Sequence, residues 1–326
     1  MSDTLYLVVP CYNEEEALPE TSKRLLEKLT KMQEKDLVSK DSRILFVNDG
    51  SKDKTWSIIE KLHESNKLFC GLNLSRNKGH QNALLAGLMT AKELADMTIS
   101  LDADLQDDIE VIDKFVEEYY AGSDVVYGVR SSRKTDTFFK RTTALGFYKF
   151  MTKLGVDVVY NHADYRLMSK RALEGLSQFK EVNLFLRGIV PLIGYRHTVV
   201  EYERHERIAG ESKYPLKKML SFAWDGITSF SIKPIRIITG LGFLIFILSL
   251  VALIYALIVN LMGKTVSGWT SMTASIWMIG GIQLLSIGVI GEYIGKIYNE
   301  TKQRPRYIIS DKLIDKEEES NEKNNN

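Results

Sequence analysis

The sequence predicts an α/β protein with a doubly wound, mainly parallel sheet, followed by helices that associate with a membrane. Two observations predict this. In the N-terminal part, short apolar runs typical of buried strands alternate with amphipathic runs typical of helices, and this alternation indicates a parallel sheet. In the last third, two uncharged and strongly apolar stretches lie at 237–262 and 270–291. Each is long enough to cross a bilayer, which needs about 20 residues in a helix.

Each apolar run of the N-terminal part is predicted to be a strand. The predicted strands lie at 5–10, 43–47, 69–74 and 97–101, with further strands at 124–128 and 164–168. The predicted helices lie at 17–35, 55–65, 81–94 and 111–120. Ligands of doubly wound sheets bind beyond the carboxyl ends of the strands. The polar clusters at 12–15, 48–51 and 102–106 are therefore expected to form one site.

The most informative polar cluster contains Asp102 and Asp104, which follow the fourth predicted strand. Side chains alternate along a strand, so both carboxylates are expected to point the same way. Two carboxylates on one face repel each other unless a cation lies between them, and their hard oxygen atoms suit Mg²⁺ or Mn²⁺. An inert acidic turn is the alternative for such a pair alone. The convergence of three polar clusters at one edge of the sheet favours the metal site.

Composition and motifs argue against several classes of function. The 43 basic and 42 acidic residues give a net charge of +1, which does not support nucleic-acid binding. No P-loop or Gly-X-Gly-X-X-Gly pattern follows a predicted strand, so a dinucleotide-binding site lacks its phosphate fingerprint. Cys11 and Cys70 have no metal-type spacing and favour a reducing compartment. The N-terminus lacks a signal-peptide pattern, so the N-terminal domain is expected in the cytoplasm.

Charges that flank the two apolar stretches predict their orientation. Lys and Arg are frequent on both outer sides, whereas Lys264 is the only charge in the connecting loop, 263–269. The positive-inside rule therefore predicts a multi-pass protein of the cell membrane with its N-terminal domain and both termini in the cytoplasm. The segment 214–232 is predicted to be an amphipathic helix at the membrane interface, with a packed core helix as the alternative. The acidic, Asn-rich tail from Asp315 is predicted to be disordered.

Several motifs in one order resemble those of inverting family 2 glycosyltransferases, which have a GT-A fold. They are Val9-Pro-Cys-Tyr-Asn-Glu-Glu15, Phe46-Val-Asn-Asp-Gly-Ser51, Asn77-Lys-Gly-His-Gln-Asn-Ala83 and Asp102-Ala-Asp-Leu-Gln106. Downstream, Asp164-Tyr-Arg-Leu-Met168, the segment 207–213 and Gly291-Glu-Tyr-Ile-Gly-Lys-Ile-Tyr298 resemble polyprenyl-phosphate glycosyltransferases. That group includes bacterial bactoprenol glucosyltransferases and, more distantly, dolichol-phosphate mannose synthase. The resemblance covers about residues 4–307.

The resemblance implies four parts of the chain. They are a cytoplasmic GT-A catalytic domain at 1–213, a juxtamembrane interfacial helix at 214–234, a two-helix transmembrane hairpin at 235–298 and a cytoplasmic tail at 299–326. Two positions depart from the family pattern. Asn48 stands where many relatives have Asp, which leaves Asp49 to recognise the base. Asp107 and Asp108 stand where many relatives have Asp-Pro or His-Pro.

The resemblance and the chemistry of the side chains together assign roles to individual residues. Those expected to hold the nucleotide sugar are Pro10, Tyr12, Glu14, Asp49, Arg76, Lys78, Asp102 and Asp104. Those expected to hold Mg²⁺ or Mn²⁺ on the diphosphate are Asp102, Asp104 and Gln106. The guanidinium fork of Arg matches phosphate oxygens. Residues expected to hold the acceptor phosphate are Arg130, Arg141, Arg207, Ser212 and Lys213.

Two carboxylates are expected to be catalytic, Asp104 and Asp164. Asp104 would act through a metal that neutralises the leaving nucleoside diphosphate. Asp164 would act as a base or would orient the acceptor, with a structural ion pair to Arg166 as the alternative. A lipid phosphate is already anionic at neutral pH and should need less help from a base than a sugar hydroxyl would. His80 and His162 are interpreted as structural.

The hypothesis is a membrane enzyme that moves one sugar, glucose or N-acetylglucosamine, from a UDP-sugar to undecaprenyl phosphate with inversion. Alternatives are a transferase acting on a glycolipid or glycan, a mannose synthase that uses GDP-mannose, and a non-enzymatic membrane scaffold. A Gln-X-X-Arg-Trp motif, usual in processive synthases of the family, does not occur. A separate flippase is expected for the product. Glycines at 280, 281, 288, 291 and 295 favour close approach of helices, as in a homo-oligomer.

Overall fold

The structure of the chain is a computed structural model, which describes residues 2–130, 162–182, 184–203, 233–262 and 268–314. These residues belong to two compact units. The first unit contains the described residues up to Arg130, those between 162 and 203, and those from Arg304 onward. The second unit contains the described residues from 233 to 303.

The first unit is built on a sheet of eight strands in the order β7-β5-β6-β4-β1-β2-β3-β8. The strands are β1 (Leu5–Cys11), β2 (Arg43–Asn48), β3 (Phe69–Leu74), β4 (Met97–Ser100), β5 (Val125–Arg130), β6 (His162–Ser169), β7 (His197–Tyr202) and β8 (Ile309–Leu313). β6 and β8 run antiparallel to their neighbours, and the other described pairs are parallel. The predicted α/β fold is therefore confirmed, with a mixed sheet of four parallel and three antiparallel strand pairs.

Helices follow most of the parallel strands. They are α1 (Leu18–Glu34), α2 (Thr55–Ser65), α3 (His80–Leu94), α4 (Ile112–Tyr120), α5 (Lys170–Ser177) and α6 (Leu186–Leu192). In α1 the buried side chains include Leu18, Leu25, Leu29 and Met32. Their spacing of three to seven residues forms the apolar stripe of an amphipathic helix. This stripe lies in the same buried cluster as Leu7 of β1.

Helix α3 covers the opposite face of the sheet. Successive side chains of a strand point to opposite faces, so Val8 projects away from the face that carries Leu7. A Cβ atom added to Gly87 of α3 would lie 2.4 Å from Val8 Cγ1 and 2.8 Å from Val47 Cγ2. The absence of a side chain at Gly87 therefore lets the helix pack directly on β1 and β2. Helices on both faces make the sheet doubly wound, as predicted.

Part of the predicted cytoplasmic tail, 299–326, forms the C-terminal strand β8 of the sheet. Residues Ile309–Leu313 pair antiparallel with β3, with Leu313 opposite Gly71 and Asp311 opposite Asn73. Leu313 Cδ1 lies 3.1 Å from the place where a Cβ of Gly71 would be. Gly71 thus leaves room for the Leu313 side chain, and β8 covers what would otherwise be an open edge of β3. The predicted disordered tail, 315–326, lies outside the described residues.

The second unit contains two long helices, α7 (Lys233–Leu261) and α8 (Trp269–Lys302), which include most of the predicted spans at 237–262 and 270–291. Among the described residues, one segment, Met278–Lys302, is long and apolar enough to cross a membrane. In α7 the described apolar stretch, Ile235–Ile245, is shorter than the length needed to cross a membrane. The prediction of two transmembrane helices therefore stays a prediction. The predicted interfacial helix at 214–232 lies outside the described residues.

Candidate active site

The loop after β4 presents the predicted metal-binding side chains on one side. Asp102, Asp104 and Gln106 are half-buried, whereas Ala103 and Leu105 between them are buried. Asp104 Oδ1 accepts a hydrogen bond from the Gln106 backbone N–H at 3.1 Å, which closes a local turn. The structure therefore places the three predicted ligands on the accessible side of the loop and uses the intervening residues to anchor it.

His80, at the start of α3, lies between two carboxylates of the site. Its Nε2 is 3.6 Å from Asp102 Oδ1 and 3.7 Å from Asp164 Oδ2. The sequence had suggested a structural role for His80, and its place at the centre of the site was missed. Asp164 comes from β6, so this contact brings together the carboxyl end of β4 and the adjacent antiparallel strand.

The pKa of Asp102 is shifted in this site. Burial, with added repulsion from Asp107, Asp164 and Asp104, raises the pKa of Asp102 to about 6, while His80 opposes the shift. The side chain of Asp102 keeps 41% of its surface exposed, so solvent moderates this shift. Among the described residues no group of three or more His, Cys, Asp or Glu side chains has metal-binding geometry. Two carboxylates and an amide suit Mg²⁺ or Mn²⁺, which complete their shells with water and substrate phosphates.

Asp164 is held by two arginines. Its Oδ1 is 2.6 Å from Arg166 Nη2, and its Oδ2 is 3.1 Å from Arg187 Nη2. Burial of Asp164 alone would raise its pKa, but Arg187, Arg166 and His80 together hold that pKa below the ordinary value. A carboxylate with such a low pKa is a weak base at neutral pH. This environment favours an orienting role for Asp164 over the alternative role of base.

Arg187 and Asp107 are site residues that sequence reasoning missed. Arg187 is 33% exposed and is oriented by its contact with Asp164. The sequence feature that could have identified Arg187 is its place as the single charged residue in the otherwise apolar run 184–190. Asp107 is 5% exposed and accepts a hydrogen bond at 2.5 Å from the Tyr202 hydroxyl. It therefore ties the loop after β4 to β7.

Arg130, predicted to hold the acceptor phosphate, lies in the same cluster. Its Nη2 is 3.5 Å from Asp107 Oδ1, and its Nε donates to the Tyr202 hydroxyl at 3.3 Å. With 28% of its side chain exposed, Arg130 contributes positive charge near the carboxylates. The other predicted acceptor-binding residues, Arg141, Arg207, Ser212 and Lys213, lie outside the described residues.

The loops after β1 and β2 are joined by hydrogen bonds. Asn13, which has a left-handed φ of 54°, donates its backbone N–H to Ser51 Oγ at 3.0 Å and accepts from the Lys52 N–H at 2.9 Å. The Glu14 N–H donates to Thr55 Oγ1 at 2.9 Å. These bonds hold the β1 loop, which carries two predicted nucleotide contacts. One of them, Tyr12, is 41% exposed.

Asp49 has a positioning role in this structure. It is 2% exposed, and its two oxygens accept the backbone N–H groups of Lys78 and Gly79 at 2.7 and 2.9 Å. Asp49 thus fixes the loop after β3, where Arg76 is exposed and Lys78 is half-buried. Its predicted contact with the nucleotide base stays a prediction. Pro10 is buried inside β1 and can shape the site only through its backbone.

Comparisons with protein families match both parts of the chain. The family described as glycosyl transferase family 2 matches residues 6–177. The family described as the GtrB C-terminal hairpin matches residues 233–297. The first match contains most of β1, strands β2 to β6 and the loops after β1 to β4, whereas Arg187 and Tyr202 of the candidate site lie beyond it. The second match contains α7 and most of α8.

Curated relatives match nearly the whole chain. The uncharacterized glycosyltransferase YkoT of Bacillus subtilis is 59% identical over 305 residues, covering 94% of this chain and 90% of the relative. The bactoprenol glucosyl transferase of Shigella phage SfX is 44% identical over 305 residues, covering 93% of this chain and 97% of the relative. The resemblance to bactoprenol glucosyltransferases is therefore confirmed.

Solved structures show a more distant similarity. The glucosyl-3-phosphoglycerate synthase of Mycobacterium tuberculosis is 16% identical, with a TM-score of 0.46, and the match covers 70% of this chain and 79% of that chain. A similarity at this level supports no argument about the site.

Proposed function

We propose that this chain, which belongs to glycosyltransferase family 2 and is a hexosyltransferase, transfers one sugar from a UDP-sugar to undecaprenyl phosphate with inversion. One observation supports this above all. The similarity to the bactoprenol glucosyl transferase of phage SfX covers 93% of this chain, so it includes the helical hairpin as well as the sheet domain. Glucose is the favoured sugar, because the relative is named for its transfer, and N-acetylglucosamine is the second candidate.

The donor is proposed to bind at the carboxyl ends of β1, β2 and β4. Tyr12 and Glu14 lie on the β1 loop and are proposed to contact the nucleotide. Asp102, Asp104 and Gln106 are proposed to hold Mg²⁺ or Mn²⁺ on the diphosphate, and their shared exposure on one side of the loop supports this. The metal would supply Lewis-acid stabilisation of the leaving nucleoside diphosphate. Burial and repulsion from Asp107, Asp164 and Asp104 raise the pKa of Asp102, and a bound cation would stabilise its charged form.

The acceptor phosphate is proposed to bind in the part of the site that contains Arg187 and Arg130. Arg187 is partly exposed and its guanidinium is oriented by Asp164, so it can present donors to a phosphate without a large loss of side-chain entropy. Asp164 is then a positioning residue for Arg187. Arg141, Arg207, Ser212 and Lys213 are proposed to add further contacts to the lipid phosphate, and Arg130 contributes charge nearby.

The lipid acceptor requires that the enzyme lie at a membrane. Described apolar side chains of α7 and α8 are largely exposed, for example Leu248 at 60% and Leu284 at 72%. Such surfaces are unfavourable in water and favour a lipid environment. We therefore propose a two-span hairpin with the sheet domain in the cytoplasm. A separate flippase and homo-oligomerisation remain predictions from the sequence.

A lipid-extraction assay tests the proposal. Full-length protein in detergent receives undecaprenyl phosphate, Mg²⁺ or Mn²⁺, and one labelled donor at a time: UDP-glucose, UDP-N-acetylglucosamine or GDP-mannose. We expect label from a UDP-sugar to enter the organic phase and to be lost when EDTA is added. Transfer only from GDP-mannose would favour the mannose-synthase alternative. Transfer to a glycolipid or glycan but not to undecaprenyl phosphate would contradict the acceptor assignment.

A further inference from the structure

Three polar side chains form a row across the sheet from β2 to the C-terminal strand β8. Asn48 of β2 pairs with Asn73 of β3, and Asn73 pairs with Asp311 of β8. Residues that are paired directly across neighbouring strands project from the same face of a sheet. The row therefore connects the C-terminal strand, which follows the hairpin in the chain, with the carboxyl end of β2.

Hydrogen bonds run along this row in one direction. Asn48 Nδ2 donates to Asn73 Oδ1 at 2.8 Å, and Asn73 Nδ2 donates to Asp311 Oδ2 at 2.9 Å. Ser310 Oγ donates to the same Asp311 oxygen at 2.8 Å. An ionised carboxylate only accepts hydrogen bonds, so Asp311 makes Asn73 present its amide nitrogen to β8. The amide oxygen of Asn73 is then left for Asn48.

The inner end of the row reaches the proposed nucleotide loop. Asn48 Oδ1 accepts the Ser51 N–H at 3.3 Å, and Ser51 Oγ accepts the Asn13 N–H at 3.0 Å. Asn13 lies between Tyr12 and Glu14, the proposed nucleotide contacts. Asn48 is 2% exposed, and hydrogen bonds in such buried surroundings are stronger than those in water.

We infer that β8 is a positioning element of the donor site. Through Asp311, Asn73 and Asn48 it holds the β1 loop in the conformation that binds nucleotide, so residues beyond the hairpin set donor affinity. This inference rests on the proposed function, because it takes the β1 loop to be part of the nucleotide site. It assigns Asp311, at the opposite end of the chain from the β1 loop, a positioning role in the reaction.

The row requires an amide rather than a carboxylate at position 48. A carboxylate at this position has no hydrogen to donate to Asn73 Oδ1. The Asn73 amide would have to turn over in order to donate to position 48, and it would then present its oxygen to Asp311. Two oxygen acceptors would face each other, and the link to β8 would be lost. An amide at position 48 and a carboxylate at position 311 are therefore complementary.

Binding of UDP to the full-length protein in detergent with Mg²⁺, measured by calorimetry, tests the inference. Asp311→Ala removes the hydrogen bond that joins Asn73 to β8, together with the local bond from Ser310. It is expected to weaken UDP binding about three- to ten-fold. In transfer assays the donor KM should rise by a similar factor with little change in kcat. Lys312→Ala is the matched control, because this exposed neighbour in β8 lies outside the row. It should leave UDP affinity unchanged within about two-fold.

A pair of substitutions that reverses the direction of the hydrogen bonds along the row provides a second test. It does not depend on removing a side chain. Asn48→Asp alone is expected to weaken UDP binding by about the same factor as Asp311→Ala. Combining Asn48→Asp with Asp311→Asn restores complementarity, because the turned Asn73 amide can donate to position 48 and accept from position 311. The double variant should recover UDP affinity to within about two-fold of the unmodified chain.

The inference would be overturned, while the proposed function stands, if UDP binding were unaffected by Asp311→Ala. A double variant that binds no better than Asn48→Asp alone would have the same consequence. A full-length protein that transfers sugar but does not bind UDP would overturn the UDP donor assignment, and the inference with it. Equal weakening by Asp311→Ala and Lys312→Ala would also overturn the inference, because β8 would then act only through general stability.

Discussion

At the scale of single residues, the alternation of exposed and buried side chains in the loop after β4 explains the candidate metal site. The polar members face the accessible side, and Leu105 is 5% exposed. Leu105 also has a left-handed φ of 51°, a conformation that costs a non-glycine residue on the order of 1 kcal/mol. Burial of its side chain offsets this cost. The sequence predicted the carboxylates, but only tertiary packing determines the backbone conformation of Leu105.

Replacement of one predicted metal ligand tests the site at this scale. Asp104→Asn keeps an oxygen that can accept the Gln106 N–H but removes the charge. We expect kcat for sugar transfer to fall at least about 100-fold, because stabilisation of the leaving diphosphate is lost. Asp108→Asn is the matched control, since Asp108 Oδ1 likewise accepts a nearby backbone N–H, that of Glu110. A transfer rate unaffected by Asp104→Asn would exclude Asp104 from catalysis.

The arginine pairs of Asp164 predict a pH-dependent effect on stability. Asp164→Asn leaves the buried Arg166 without its counter-charge, so the free energy of unfolding should fall by about 3 kcal/mol at pH 7. The folded-state pKa of Asp164 is lowered, so its contribution is present above the unfolded pKa of about 4 and is lost as pH falls further. Urea unfolding at several pH values should show the difference between the two proteins shrinking below about pH 4. A difference that stays constant down to pH 2 would contradict this account.

Some residues of the site could not be predicted because the contacts that define their roles join distant parts of the chain. His80 has no ligand-type spacing in sequence, and it enters the site only because α3 begins beside β4 and β6. Arg187 depends on the placement of α6 against Asp164. The predicted carboxylates, in contrast, directly follow a recognisable strand, so local pattern was sufficient.

At the scale of elements, helices and strands with buried apolar residues were predicted from the sequence more accurately than exposed ones. The predicted helix at 55–65 and strand at 69–74 have the observed bounds, and β1 was predicted to within one residue. β7 and β8 were missed, because both have mostly polar or exposed residues. The partner of β8 is more than 230 residues away, as the Asn73–Asp311 bond illustrates. Its pairing therefore leaves no local signal in the sequence.

The contact between the loops after β2 and β3 gives a prediction at this scale. Gly50 has a φ of 61°, and an added Cβ would lie 2.5 Å from the backbone carbon of Arg76. Gly50→Ala should displace the β3 loop, weaken its bonds to Asp49 and raise the donor KM about ten-fold or more. Steady-state kinetics with varied UDP-sugar would measure this.

Gly122→Ala is the control for backbone strain alone. Gly122 also has a positive φ, 95°, but an added Cβ would meet only the end of the flexible Arg196 side chain at 3.2 Å. Gly122→Ala should lose about 1 kcal/mol of stability through backbone strain, and Gly50→Ala should lose more because its Cβ also meets the backbone of Arg76. Only Gly50→Ala should change donor KM. A similar KM in both variants would show that the loop contact does not affect the donor site.

At the scale of the whole molecule, the sequence predicted one cytoplasmic domain and a membrane hairpin with a short external loop. The family comparison supports a division between the sheet domain and the hairpin. β8 modifies this division, because the chain returns to the sheet after the hairpin. Hydropathy could predict the apolar helices but not this return, which depends on long-range pairing.

Cysteine labelling tests the predicted topology. Both native cysteines, Cys11 and Cys70, are buried, so background labelling of intact cells should be low. A membrane-impermeant maleimide should label Lys264→Cys, in the predicted external loop, without lysis. Lys23→Cys, at an exposed position of α1, should react only after lysis. Labelling of both positions in intact cells, or of Lys23→Cys alone, would contradict the proposed orientation.

The central claim is that the enzyme attaches a single sugar to a polyprenyl phosphate. Mass spectrometry of the lipid extracted after reaction of the full-length protein with undecaprenyl phosphate and UDP-glucose tests it most directly. We predict a product with the mass of undecaprenyl phosphate plus one hexose, formed at least about 100-fold more slowly by Asp104→Asn. Unmodified undecaprenyl phosphate under conditions in which the enzyme consumes UDP-glucose, or a ladder of products with several hexoses, would contradict the account.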